Sequence, residues 1–173
     1  MAKPDVPTVN DELARKFHRV EAGLDGSGSA AELFERLFTG IETQFAVPYA
    51  WLSLIRRPET VPLRASLETS PLLADRLNSI AEAPFREVVP GCAAPLLASG
   101  DLRRYFRLLP PSRKYFIRSL AVSPLTLGGT TIGSINLGDA SPARYEPGMD
   151  TALLTHLARS VSAHLFRLSL PRG

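Results

Sequence analysis

The chain is expected to fold as an α+β domain, on three observations. Apolar residues recur at helical spacing toward both ends. Short runs rich in β-branched and aromatic residues lie between them. A Gly-Gly pair, Gly128-Gly129, joins two of those runs and reverses the chain.

Val9, Leu13, Phe17, Val20 and Leu24 form the first stripe, with Asp11, Glu12, Arg15, Lys16, Arg19 and Glu21 between them. That is one apolar side of a helix opposite a charged one. "GLDGSGS", Gly23 to Ser29, ends this helix as a short linker, so residues 1–28 are expected to form an extension and residues 29–170 the main domain. Ser29 and Glu32 fit a capping box, each side chain meeting a free amide at the start of the second helix. Leu33, Phe34, Leu37, Phe38, Ile41 and Phe45 are its buried side, and Pro48 stops it. "YAWLSLIRR", Tyr49 to Arg57, is a strand, and a turn near Pro58 leads to a weaker strand over Val61 to Leu67. Ser70-Pro71 starts a third helix carrying Leu72, Leu73, Leu77 and Ile80. Prolines at 84, 90, 95, 110 and 111 break the next stretch into a short strand and short helices. Order returns at Ile117 to Leu127. A long helix opening at Pro147 carries Leu153, Leu154, Leu157, Val161, Leu165 and Leu168.

"GGTTIGSINLGD", Gly128 to Asp139, poses the question of a phosphate loop. Such a loop needs a strand before the glycines and a helix after them, whose amides face the anion. Here the following run is β-branched and lacks helical period, and the spacing matches no nucleotide fingerprint. Gly128-Gly129 therefore reads as a tight hairpin turn, and Gly133 as a bulge or a close backbone approach.

"RSLAVSPLTLGGTTIGSINLGD", then "ARYEP" and a terminal amphipathic helix, resembles the end of a GAF domain, with Ser119, Pro124, Leu125, Ile132 and Gly133 in the family's places. The earlier half, a helix, "AWLSLI", a hairpin and mid-chain helices, agrees. The resemblance spans about residues 29 to 168 and is closest to an uncharacterised bacterial branch. It implies an antiparallel sheet with the first and last helices on one face and mid-chain helices and loops on the other. Small-molecule members bind on that second face, which implies a site built from residues 85 to 119 over the central strands.

Alternation along strands places Tyr49, Trp51 and Ser53 on one side, and Ser134 with Asn136 on one side of theirs. Buried polar groups there need partners, from a ligand or from neighbouring loops. Asp101 to Ser119 holds six basic residues (Arg103, Arg104, Arg107, Arg113, Lys114, Arg118) against one acid, a balance of +5. The other 14 basic and 16 acidic residues balance to −2, too narrow a basic field for a nucleic-acid binder. Arg113, Lys114 or Arg118 could grip a phosphate or carboxylate while Tyr105, Tyr115 or Phe116 stacks on a ring. Equally, the segment could be a solvated lid. Candidate ligand residues are thus Trp51, Ser53, Tyr105, Arg113, Lys114, Arg118, Ser134 and Asn136.

The lone cysteine, Cys92, has no resolving thiol in the chain and is expected to be inert. One cysteine makes no internal disulfide, and no stretch of about 20 apolar residues spans a bilayer, so a soluble cytoplasmic protein is expected. Catalytic and metal motifs are absent, and no cofactor is indicated. The resulting expectation is a non-catalytic sensing or regulatory domain with an unknown small-molecule ligand. It would signal through a homodimer of the 9–24 helix and the last helix, since nothing after residue 173 supplies an output. A GAF scaffold that dimerises without a ligand is the alternative.

Overall fold

The structure, a computed structural model, describes residues 6–89, 94–109 and 115–170, with side chains from Asp11 onward. In chain order the helices are α1 (Val6–Leu24), α2 (Ala30–Phe45), α3 (Val61–Glu68), α4 (Pro71–Ala74), α5 (Glu82–Val88) and α6 (Ala152–Ser169). The strands are β1 (Tyr49–Ile55), β2 (Leu77–Ile80), β3 (Leu96–Ser99), β4 (Ser119–Leu127) and β5 (Thr130–Asp139). They form one sheet in the order β2-β1-β5-β4-β3.

The Gly-Gly hairpin holds. Gly128 (φ 60°) and Gly129 (φ 83°) both sit in the left-handed region, and β4 and β5 pair antiparallel on either side of them. Gly133 makes the close approach expected of it and borders a bulge. Leu125 pairs with Gly133 while Thr126 pairs with Thr131, so Ile132 is the extra residue of a bulge. The bulge puts Ile132 on the same side as Ile135, within the helical core. A Cβ on Gly133 would stand 2.0 Å from the Ser53 carbonyl oxygen, so β5 reaches β1 only without a side chain there. Pro124 lies past the end of β3, which pairs only with Ser119 to Val122, so its missing amide breaks no ladder bond on that side.

One sheet face carries Ala50, Leu52, Leu54, Ala121, Leu125, Ile135 and Leu137 against α1, α2 and α6. Phe34 and Phe38 are wholly buried there, each contributing about 1.5–3 kcal/mol by leaving water. The other face carries Trp51, Ile55, Leu120 and Val122 under α5 and the segment from Leu102 to Leu109. This is the expected two-sided arrangement.

Three elements differ from expectation. Val61 to Leu67 is not a strand but α3, entered through a proline, with Leu63 and Leu67 one turn apart toward the core. The third helix stops at Ala74, and Leu77–Ile80 becomes β2, parallel to β1. The expected hairpin after β1 is therefore a crossover through α3 and α4. Leu77 and Ile80 fit a helix stripe, but their odd separation also sends them to opposite faces of a strand. Leu77 packs with the helical core and Ile80 with the other one. The last helix starts at Ala152 rather than Pro147.

The α1 helix packs on α2 and α6 of its own chain. Val20 and Leu24 are buried, and the Phe17 and Phe45 rings lie 4.7 Å apart. Gly40 on α2 admits this approach, since a Cβ there would sit 3.4 Å from Val20. His156 on α6 reaches Glu21 at 2.5 Å, and His164 reaches Asp25 at 3.4 Å.

The α2 cap is one-half of the expected box. Ser29 Oγ accepts from the Glu32 amide at 3.1 Å, but Glu32 Oε2 accepts from the Gly28 amide at 3.2 Å, not from Ser29. Ser29→Ala is expected to cost about 1 kcal/mol, read as a lower urea midpoint with an unchanged slope.

Candidate functional site

The second sheet face has a polar centre inside an apolar border. β1 supplies Trp51 and Ser53, β5 supplies Ser134 and Asn136, and β2 adds Asn78. The registers bring them into rows: Trp51 opposite Asn136, Ser53 opposite Ser134, and Asn78 beside Ser53. Ser53, Ser134 and Asn136 have no solvent exposure, and Trp51 has 2%. Gly138, next to Trp51 on this face, leaves room for the indole; a Cβ there would lie 3.2 Å from Trp51 Cζ3 and 3.0 Å from Ile117.

The hydrogen bonds form one connected set. Ser134 Oγ donates to Asn136 Oδ1 (2.8 Å), and Asn136 Nδ2 donates to Ser53 Oγ (2.9 Å). Asn78 Nδ2 donates to Ser53 Oγ (3.2 Å) and to the Arg107 carbonyl (2.8 Å). Ser53 Oγ in turn donates to the Leu108 carbonyl (3.2 Å), which also accepts from Trp51 Nε1 (2.6 Å). Ser53 thus uses its one donor and both acceptor positions. The set is closed from above by two backbone oxygens of the 102–109 segment, whose Leu108 and Leu109 are buried. That segment is held by a short 3-10 turn at Arg103–Tyr105 and by apolar side chains, not by ladder bonds.

The family model described as "Protein of unknown function, DUF484" matches residues 5–169. The chain belongs to this family. No curated protein matches it. Among solved structures, the DUF484 chain is similar to a free methionine-R-sulfoxide reductase from Neisseria meningitidis, in complex with its substrate. Identity is 14%, with 98% of this chain and 95% of that one covered and a TM-score of 0.60. It is also similar to the GAF domain of an Acinetobacter phosphoenolpyruvate-protein phosphotransferase, at 10% identity, 91% and 94% coverage and a TM-score of 0.55. The fold of this DUF484 protein is GAF-like.

Four of the sequence-nominated residues, Trp51, Ser53, Ser134 and Asn136, are brought together in this DUF484 protein. Tyr105 is half-buried at the edge of the same core, with the Arg104 guanidinium 6.0 Å from its ring centre. Arg118 is not in the site: its side chain is exposed, while its backbone bridges strands through Asp139 and Gly100. Arg113, Lys114 and Cys92 lie outside the described residues. Phe85 is buried on the inner side of α5, whereas Tyr115 and Phe116 are exposed. Arg103 is turned to Asp101, whose carboxyl it holds down at about 2, chiefly by their side-chain hydrogen bond. Asn78 and the Leu108 carbonyl are members that sequence reasoning did not name. Asn78 had been placed on a helix. A backbone acceptor leaves no residue signal at all.

The helical face holds a different feature. A cavity of about 230 Å³ lies between α1, α2, α6 and the 140–151 connection. Its lining is apolar except at Arg144, Tyr145 and Asp150. Among the described residues, no group of three or more His, Cys, Asp or Glu is placed to hold a metal, and no helix is long and apolar enough to cross a membrane.

Proposed function

We propose that this protein is a non-catalytic regulatory domain of the GAF type, whose polar sheet face binds a small molecule in exchange for the Leu108 carbonyl. The observation that carries this reading is the one shared acceptor: Trp51 Nε1 and Ser53 Oγ both end on Leu108 O. An interior that needed only stability would place apolar residues here, since a buried polar set gains little net energy over a packed apolar one. A ligand carbonyl or hydroxyl at the same point would satisfy the same two donors when the segment swings out. The ligand shifts the population between closed and open forms. Arg104 and Arg107, carried by that segment and exposed, would favour an anionic ligand at the opening.

The reductase likeness extends to the fold. This chain has one cysteine, so it cannot re-form an internal disulfide after reducing a sulfoxide. Output would pass through a homodimer in the cytoplasm. Because α1 and α6 already pair within one chain, the dimer would use their outward sides, where Phe166 is exposed.

A second reading, a permanently closed scaffold, is favoured by Phe85 of α5, which is 1% exposed and packs in the apolar core over this sheet face. Native mass spectrometry of freshly purified protein separates the two. The sensor reading expects a retained small molecule in wild type that is lost in the Trp51→Phe, Ser53→Ala double variant, on a dimeric species. A clean mass for both proteins, unchanged by added metabolite extract, favours the scaffold; a monomer removes the proposed dimer route.

A further inference from the structure

The cavity on the helical face lies across the sheet from the polar set, and its chemistry is different. Leu97 and Leu137 of the sheet form its floor, Phe17, Phe45 and Leu154 its walls. Away from Arg144, Tyr145 and Asp150, water in such a space has few of the two to four polar partners that hold a buried water. An apolar cavity of about 150 Å³ accepts benzene, and this one is about 230 Å³. Its size therefore suits a molecule larger than one ring but smaller than the drug-sized ligands of typical pockets.

The cation at the mouth is already committed, and the carboxylate caps a helix start. Arg144 donates to Asp139 Oδ2 at 3.0 Å and to the Phe45 carbonyl at 2.5 Å, with the Ala46 carbonyl at 3.5 Å. Asp150 Oδ1 accepts from the Ala152 amide at 2.9 Å, at the start of α6. An anionic ligand would find the lining cation, Arg144, already paired with Asp139. Tyr145 is pushed up to about 12 by burial, so its hydroxyl stays a neutral donor across the physiological range. We infer that this cavity is a second binding site, for an uncharged bicyclic-sized apolar molecule with at most one hydrogen-bond acceptor. Because α1, α2 and α6 each contribute a wall, an occupant ties α1 to α6. The site is independent of the sensor reading, which concerns the opposite face.

Indole and 1-naphthol are suitable probes, with 1-naphthoate as the charged counterpart. Titrating full-length protein should give saturable shifts of the Leu137 and Leu154 methyl resonances and a concentration-dependent rise in Tm. The carboxylate should bind at least tenfold more weakly. Leu154→Phe fills the space and should abolish the titration without lowering Tm in the absence of probe. If Leu154→Phe folds poorly, Leu13→Trp at the exposed rim should block entry instead. The inference is overturned by the absence of saturation up to the solubility of both probes, by equal binding of 1-naphthoate, or by unchanged titration in whichever variant folds. It is equally overturned if a second copy already covers these methyls in a dimer that excludes indole. Probe shifts confined to the Trp51 indole would reject this cavity and leave the polar face as the site.

Discussion

Gly133→Ala is expected to destabilise the protein by more than ~3 kcal/mol, the range reserved for backbone clashes and broken cores. The added Cβ would lie 2.0 Å from the Ser53 oxygen and 3.1 Å from the Leu54 Cα. Both are backbone atoms of β1, so no side chain can rotate away. Relief would require β1 and β5 to part, and that opens the Ser53–Ser134 pair at the middle of the polar set. Gly23→Ala in α1 is the control. Nothing lies within 4 Å of its would-be Cβ, and it should stabilise by about 0.5–1 kcal/mol through helix propensity. Urea midpoints of the two variants should move in opposite directions. Equal midpoints would mean that β5 does not approach β1 as described.

Asn136→Asp is the second large effect. The change is isosteric, but it removes the donor to Ser53 and places a carboxyl among fully buried groups. At neutral pH it should cost at least ~3 kcal/mol, the sum of an unmet donor–acceptor pair and a desolvated charge. Burial raises the folded pKa of the new carboxyl above its unfolded value of about 3.9. The folded state therefore holds the proton more tightly than the unfolded one. Stability is greatest below the unfolded pKa and falls as pH rises toward the folded pKa, by up to about 1.4 kcal/mol per pH unit. Asn136→Ala lacks the titrating group and should lose stability without that slope. Parallel curves for the two variants would place position 136 in contact with water.

What was legible in the sequence was what local chemistry determines. Gly128-Gly129 announces its hairpin because two consecutive positive φ angles suit glycine and few other residues. Strand alternation correctly put Trp51 with Ser53 and Ser134 with Asn136, since the pleat fixes which side chains share a face. Residues 61–80 were misread where the apolar runs are short. Leu77 and Ile80 satisfy a helix stripe as well as a strand spanning two cores, and only the nonlocal parallel pairing with β1 decides between them. The α1 stripe was visible, but its partner was not, because the groove that receives it depends on the absent side chain of Gly40. Arg118 looked like an anion grip on charge alone. In the fold its backbone is the working part, and its guanidinium faces solvent.

The protein has one tryptophan, so its spectrum has one indole N–H, and that group donates to Leu108 O. Hydrogen exchange at this single proton is the most direct test of a lid that opens. The regulatory reading predicts exchange slower than in a free indole but well faster than at the β4–β5 core amides, because the 102–109 segment would lift without global unfolding. Exchange only at the rate of those core amides would contradict it, leaving the polar face permanently sealed and the domain a scaffold.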